Sequence, residues 1–258
     1  VIDATYSIYS KAFATLRPTP KKSHYIFTLC DVKRVIQGMM LVKSGQLPDD
    51  KELTKKYTRL WTHEVSRVFF DKCTELKDRA WFCETVRETL LRYFKADLND
   101  MFAHLDLDGD GNIDSEELVR GHLFGVFGKK GAKKSYDEML DLTTAKEAAE
   151  HLLGEYNSLS SKPMDLVLFK FAIEHVARIA RVLMIPGGHG LLVGMGGSGR
   201  QSLCRLSAHI SGCEVFQFDI GSGYSRADWT ENLKDLLTKV GACPPDDAEN
   251  CVLLMTDT

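Results

Sequence analysis

The segment Gly194-Met195-Gly196-Gly197-Ser198-Gly199-Arg200-Gln201-Ser202 leaves few folds open to this chain. An apolar run, Leu191-Leu192-Val193, precedes it, and Leu203-Cys204-Arg205-Leu206 follows. Strand, glycine-rich turn and helix, in that order, are the setting of a phosphate-binding loop. Backbone N–H groups of such a loop, with the positive end of the helix, hold an anion. Glycine is needed because a side chain blocks so close an approach. The full pattern, Gly-x4-Gly-Lys-Ser/Thr, is kept only in part. Gly194 and Gly199 fit it, but Arg200 stands where lysine belongs and Gln201 where the Mg2+-binding hydroxyl belongs. Arg200 can still grip phosphate as a planar fork. Gln201 replaces a hydroxyl on Mg2+ less well, and Ser202 points elsewhere on the helix.

Downstream, Gln201–Ile210 reads as a helix, Val215, Phe216 and Phe218 as a strand, and Trp229, Leu233, Leu236 and Leu237 as a helix. Cys251–Met255 is the next strand and leads to Asp257. An apolar strand ending in aspartate after a phosphate loop is the usual place of the Mg2+-holding carboxylate. Thr258 follows it, where ATPases of this kind place glutamate, and threonine is no base at neutral pH. The fold class expected is therefore α/β, an incomplete P-loop module.

A second motif lies upstream. Asp106-Leu107-Asp108-Gly109-Asp110-Gly111-Asn112-Ile113-Asp114-Ser115-Glu116-Glu117 has the form of the twelve-residue EF-hand loop. Asp106, Asp108 and Asp110 offer carboxylates at positions 1, 3 and 5. Gly111 makes the turn, Asn112 gives a backbone carbonyl, Asp114 acts at position 9, and Glu117 is placed to bind bidentately. Hard oxygen ligands at this spacing suit Ca2+. Leu98, Met101, Phe102 and Leu105 give the entering helix an apolar face. The exiting helix is weaker, because Gly121, His122 and Gly125 follow Leu118. No second loop is present to pair with this one.

The remaining sequence reads as helices. Ile2, Tyr6, Tyr9, Phe13 and Leu16 are expected to be the buried face of the first, which Pro18 and Pro20 end. Val32, Val35, Ile36, Met39 and Met40 mark the second, Leu60, Trp61, Val65, Val68 and Phe69 the third, and Trp81, Phe82, Val86, Leu90 and Phe94 the fourth. Gly128–Lys134 is a basic linker, and Thr144–Tyr156 is helical. Pro163 is expected to open a long helix carrying Val167, Leu168, Phe171, Ile173, Val176, Ile179 and Leu183 on its apolar face, up to Ile185-Pro186-Gly187-Gly188. His175 on it reads as packed or partly exposed, since no nucleophile accompanies it. The expected organisation is an all-helical unit at 1–94, which the family resemblance given below implies is a lid, a calcium segment at 95–127, a linker and helix completing that unit at 128–162, and the front of the P-loop module at 163–258.

A formal net charge of −3 argues for neither nucleic acid nor an anionic membrane as partner. Seven cysteines without framework spacing read as reduced, intracellular thiols. Because Val252–Thr258 stops at the end of a strand, the chain reads as a piece of something longer.

Leu191–Leu206 resembles the phosphate loop of the fourth AAA+ module of axonemal dynein heavy chains, where Arg-Gln replaces Lys-Ser/Thr. Ile173-Glu-His-Val-Ala-Arg-Ile179 and Leu254-Met-Thr-Asp-Thr258 are similar too. Ser23-His-Tyr-Ile-Phe-Thr-Leu29 and Leu60-Trp-Thr-His-Glu64 resemble the lid of the third module. The calcium loop is similar to one in a subset of single-headed inner-arm heavy chains. The resemblance implies a minus-end-directed microtubule motor of cilia and flagella, located in the cytoplasm, cytoskeleton and axoneme. Its partners would be the other AAA+ modules, light and intermediate chains, and microtubules. ATP or ADP, with Ca2+ and Mg2+, are the implied ligands, and the fourth module's role is regulatory or structural. Cys30 stands where the family often has a phosphate-sensing arginine. ATP turnover by this chain alone is not expected. Two other classes fit the motifs: a calcium-regulated P-loop GTPase or ATPase, and a calcium-binding scaffold with a degenerate P-loop. The Asn-Lys-x-Asp guanine motif is absent.

Overall fold

A computed structural model describes residues 1–42, 51–106, 108–127, 135–139, 142–160, 162–218, 220–221, 223–242 and 250–256. The linker at 128–134, Asp257 and Thr258 lie outside these residues. The chain divides into two units, Val1–Gly125 with Ser135–Leu140, and Val126–Lys134 with Asp141–Thr258. Both are mostly helical, each with one small sheet among the described residues.

The first unit runs α1 (Ile2–Thr15), α2 (Leu29–Met39), α3 (Lys51–Val68), α4 (Leu76–Thr89), α5 (Leu98–Phe102) and α6 (Ser115–Gly121). An antiparallel hairpin, β1 (Leu123–Gly125) with β2 (Asp137–Met139), completes it. Leu60, Trp61, Val65, Val68 and Phe69 are all buried, so α3 is the central helix of this unit. Phe82 and Val86 of α4, and Leu90 beyond it, are buried as their spacing requires. Thr28 and Asp31 form a reciprocal capping box at the start of α2, and buried Asp31 also accepts from Lys72 Nζ at 2.8 Å. Met40, grouped with the apolar face of the second helix, is instead exposed.

In α1 the buried face is not the aromatic one. Ala4, Thr5, Ile8 and Ala12 are buried, while Ile2, Tyr6 and Phe13 are exposed and Tyr9 is half-buried; of the expected set only Leu16, just past the helix, is buried. Small residues let α1 sit close to its neighbours, and a hydrogen bond fixes that choice of face. Trp61 Nε1 donates to Thr5 Oγ1 at 2.9 Å, and Thr5 Oγ1 donates to Val1 O at 2.9 Å. Both residues are fully buried. Thr5→Val should cost about 2 kcal/mol, because it orphans the indole N–H. Thr5→Ser, which keeps the acceptor, should cost less than half of that. Urea midpoints of the two variants check this, and equal losses would assign the effect to the methyl group instead.

A buried polar cluster joins α3 to the hairpin. Tyr136 Oη donates to Glu64 Oε1 at 2.7 Å, and His63 Nδ1 lies 3.1 Å from the same oxygen. Arg59 Nε donates to Glu138 Oε1 at 2.7 Å, with His122 Nε2 3.5 Å from that oxygen. His122 packs edge-on against Phe102 at 4.8 Å between ring centres. The residue that weakened α6 as a sequence is therefore a core residue here.

The second unit runs α7 (Leu142–Leu159), α8 (Lys170–Met184), α9 (Arg200–Ser211), β3 (Glu214–Gln217), α10 (Arg226–Ala242) and β4 (Cys251–Leu254). β3 and β4 pair in parallel, from Glu214 opposite Cys251 to Gln217 opposite Leu254. A parallel pair needs a crossover, and α10 supplies it. The long helix expected from Pro163 begins only at Lys170. Asn157 on α7 holds Met164 at both its backbone N–H and its carbonyl, each at 2.8 Å, which fixes the chain outside helical geometry. Val167 is 82% exposed as a result, and Phe171 is also exposed, whereas Ile173 and Val176 are buried. His175 is exposed.

The expected strand at Leu191-Leu192-Val193 has no ladder partner among the described residues. Leu191 and Val193 are 91% and 85% exposed. A strand exists through its pairing, and β3 and β4 pair with each other.

Candidate functional site

α9 stands on α8. Ser207 Oγ donates to Val176 O at 3.3 Å and Ser211 Oγ to Ala180 O at 3.4 Å. Leu206, Ser207, Ala208 and Ile210 are buried, which fixes the direction in which the N-terminus of α9 points. Gly212 closes the other end in the left-handed conformation.

Gly194, Met195, Gly196, Gly197 and Ser198 form an exposed loop ahead of that N-terminus. Gly197 and Gly199 each have φ near +75°, a conformation that costs other residues strain. A turn closes where Ser198 N donates to Met195 O at 3.3 Å. Gly199 is the N-cap of α9 and offers no side chain to its first-turn donors. Those amides belong to Arg200, Gln201 and Ser202, which have no acceptor within the helix. The stem of Arg200 lies over Gly194, where an added Cβ would sit 3.5 Å from its Cδ. Arg200, Gln201 and Ser202 are half-buried. The loop, the uncapped helix start and the arginine fit a phosphate chain. Asp257, expected to face Mg2+, lies outside the described residues.

The acidic loop belongs to the first unit. Carboxylate oxygens of Asp106, Asp108 and Glu117 lie within 4.8 Å of one another. Asp106 accepts from Gly109 N and Gly111 N at 2.7 and 3.0 Å, and Asp110 accepts from Asn112 N at 2.6 Å. Gly111, at the sharp turn, has φ +77°. Asp114 caps α6 by accepting from Glu116 N and Glu117 N, and Glu117 Oε2 accepts from Asp114 N at 3.1 Å. The Asp110 N–H acts to lower the Asp108 pKa, yet desolvation and the charges of Asp110 and Glu117 outweigh it and raise the carboxyl above its usual range. Like charges gathered this way suit a cation. The helix expected after the loop is short, seven residues, and ends at Gly121 against Leu105.

Two residues at this loop carried no sequence signal. Arg87 on α4 and Asn99 on α5 reach its centre, and only the folded chain brings them there. Cys30 is exposed at the start of α2. Burial raises the Cys73 thiol to about 12 and that of Cys83 to about 11, which leaves both unreactive.

The comparisons with known proteins assign both units. A family profile described as "P-loop containing dynein motor region D4" matches residues 164–258, and one described as "AAA+ lid domain" matches residues 1–104. The class is thus a P-loop AAA+ motor region preceded by an AAA+ lid. Dynein axonemal heavy chain 3 of Mus musculus is 41% identical over 258 residues, which is 100% of this chain and 6% of that protein. The Homo sapiens heavy chain 3 is 43% identical over 242 residues, 93% of this chain and 6% of that protein. Dynein axonemal heavy chain 12 of Rattus norvegicus is 37% identical over 245 residues, 93% of this chain and 8% of that protein. The chain belongs to the axonemal dynein heavy-chain family, and spans a small part of the length of these relatives. That homology places it in the cytoskeleton of the ciliary axoneme. No described helix is long and apolar enough to cross a membrane.

Proposed function

We propose that this chain is a nucleotide-holding and calcium-sensing part of a minus-end-directed microtubule motor that drives ciliary and flagellar beating. The glycine loop running into the uncapped start of α9, in a segment matching a dynein motor region, carries the reading. Gly194, Met195, Gly196, Gly197, Ser198 and Gly199 would surround the phosphates of ATP or ADP with backbone. The first-turn amides of Arg200, Gln201 and Ser202 would add the helix end, and the Arg200 guanidinium would pair with phosphate oxygens. Mg2+, when bound, neutralises phosphate charge, and Asp257 would face it. Gln201 offers a neutral amide in place of a hydroxyl, which favours holding nucleotide over turnover.

In the other unit, Asp106, Asp108, Asp110, Asn112, Asp114 and Glu117 would bind Ca2+, in the manner of single-headed inner-arm heavy chains. The converging carboxylates support this. Other AAA+ modules of the same heavy chain, microtubules, and light and intermediate chains would be its partners in the whole motor. No nucleic-acid or membrane partner is proposed.

Calorimetric titration of the 258-residue chain with Mg2+ and ADP tests the nucleotide reading. Binding that weakens about tenfold in Arg200→Ala, the loss of one charge-assisted phosphate contact, is expected. Absence of heat at millimolar ADP would overturn it.

A further inference from the structure

Ile113 sits at the centre of the acidic loop with its side chain 1% exposed, so its backbone N–H and carbonyl need partners inside the protein. A second calcium loop is absent from the sequence, yet both groups are satisfied. Ile113 N donates to Asn99 Oδ1 at 3.1 Å, and Ile113 O accepts from Arg87 Nη2 at 3.4 Å. The same Nη2 donates to Asn112 Oδ1 at 3.0 Å, and Arg87 Nη1 donates to Asn99 Oδ1 at 3.0 Å. Asn99 Nδ2 reaches Asn112 Oδ1 at 3.5 Å, and Glu84 lies 3.4 Å from Arg87 Nε. One guanidinium on α4 and one amide on α5 thus clamp two consecutive loop residues. The carbonyl of Asn112, the first of the two, is a ligand position in a loop of this form.

We propose that Arg87 and Asn99 take the place of a second calcium loop, so that a single copy of this chain senses Ca2+ and α4 receives the signal through Arg87. The inference rests on the calcium reading of the loop. An ion drawing in Asp106, Asp108, Asp110 and Glu117 also pulls on Asn112 and Ile113, which cannot move without the Arg87 fork. Arg87 is a positioning residue, and its charge, which repels Ca2+, is separable from its geometry. Arg87→Lys keeps the charge and loses the fork.

The test titrates Ca2+ into the 258-residue chain, wild type and Arg87→Lys, by calorimetry. Amide hydrogen exchange is followed with and without Ca2+, and the mass of the calcium-bound species is measured by ultracentrifugation. Wild type should bind one Ca2+ as a monomer, with slower exchange both in the loop and in α4. Arg87→Lys should bind about tenfold more weakly, as when a group orienting a metal ligand is lost. It should keep the protection of the loop but lose that of α4. A purely structural role would instead lower the thermal midpoint equally with and without Ca2+, leaving the calcium response of α4 intact, and would overturn the proposal. Asn99→Ala serves as the second variant, with the same loss expected at α4. Calcium-dependent dimerisation of wild type would also overturn the proposal, since a second copy would then supply the missing wall. No calcium-dependent heat from wild type would remove the calcium reading itself, and this inference with it.

Discussion

Glu117→Gln is expected to weaken Ca2+ binding by roughly a hundredfold, because charge count and a bidentate last ligand set the affinity of a loop of this form. The substitution isolates that effect. Glu117 also closes a capping box with Asp114 at the start of α6. Glutamine serves in that box as well as glutamate does, so the helix start survives while the charge is lost. Calorimetry and thermal melts of the apo protein check the two halves separately. Apo stability no lower than wild type, since one like charge beside Asp108 is gone, together with weakened binding is the expected pair of results. Heat of calcium binding equal to wild type would mean that Glu117 is not a ligand.

Acid should destabilise the first unit earlier than its carboxylates alone require. Burial is the main cause that takes the His63 imidazole from an ordinary 6.5 down to about 3, although the Glu64 hydrogen bond pulls the other way. Arg67 and His122 face the same ring and push it further down. The unfolded chain therefore binds a proton at His63 that the folded chain refuses between about pH 6.5 and pH 3. Stability rises with pH across that window and is lost as pH falls through it. From pH 6.5 to pH 4 the loss should be roughly 2–4 kcal/mol, at about 1.4 kcal/mol per pH unit. His122 is lowered too, first by burial, and acts with the same sign. Urea melts at pH 7, 5 and 4 measure the slope, and His63→Gln should flatten it. Parallel curves for wild type and variant would place the sensitivity elsewhere.

The two motifs were legible as sequence because glycines and carboxylates at fixed spacing state their backbone needs directly. Gly197, Gly199 and Gly111 have the positive φ angles such loops require. The central helix was legible too, since Trp61, Val65 and Val68 leave one face to bury. In α1 the same reasoning chose the wrong face. Periodicity shows that an apolar stripe exists, not which of two stripes is buried, and here the one of Ala4, Thr5, Ile8 and Ala12 is. The late start of α8 was hidden for a similar reason. The side chain of Asn157 competes for the backbone of Met164, seven residues on, and apolar periodicity does not register a polar side chain bonding to backbone. Arg87 reads as an ordinary surface arginine until the fold carries residues 99, 112 and 113 to it.

At the end of α6, Gly121 meets the side chain of Leu105, where an added Cβ would stand only 2.8 Å from Leu105 Cδ2. The segments that enter and leave the acidic loop therefore touch at a point where one of them has no side chain. Any side chain at position 121 would have to displace the end of Leu105 before the two segments could meet as they do, so the closeness of the loop's two ends depends on this one glycine.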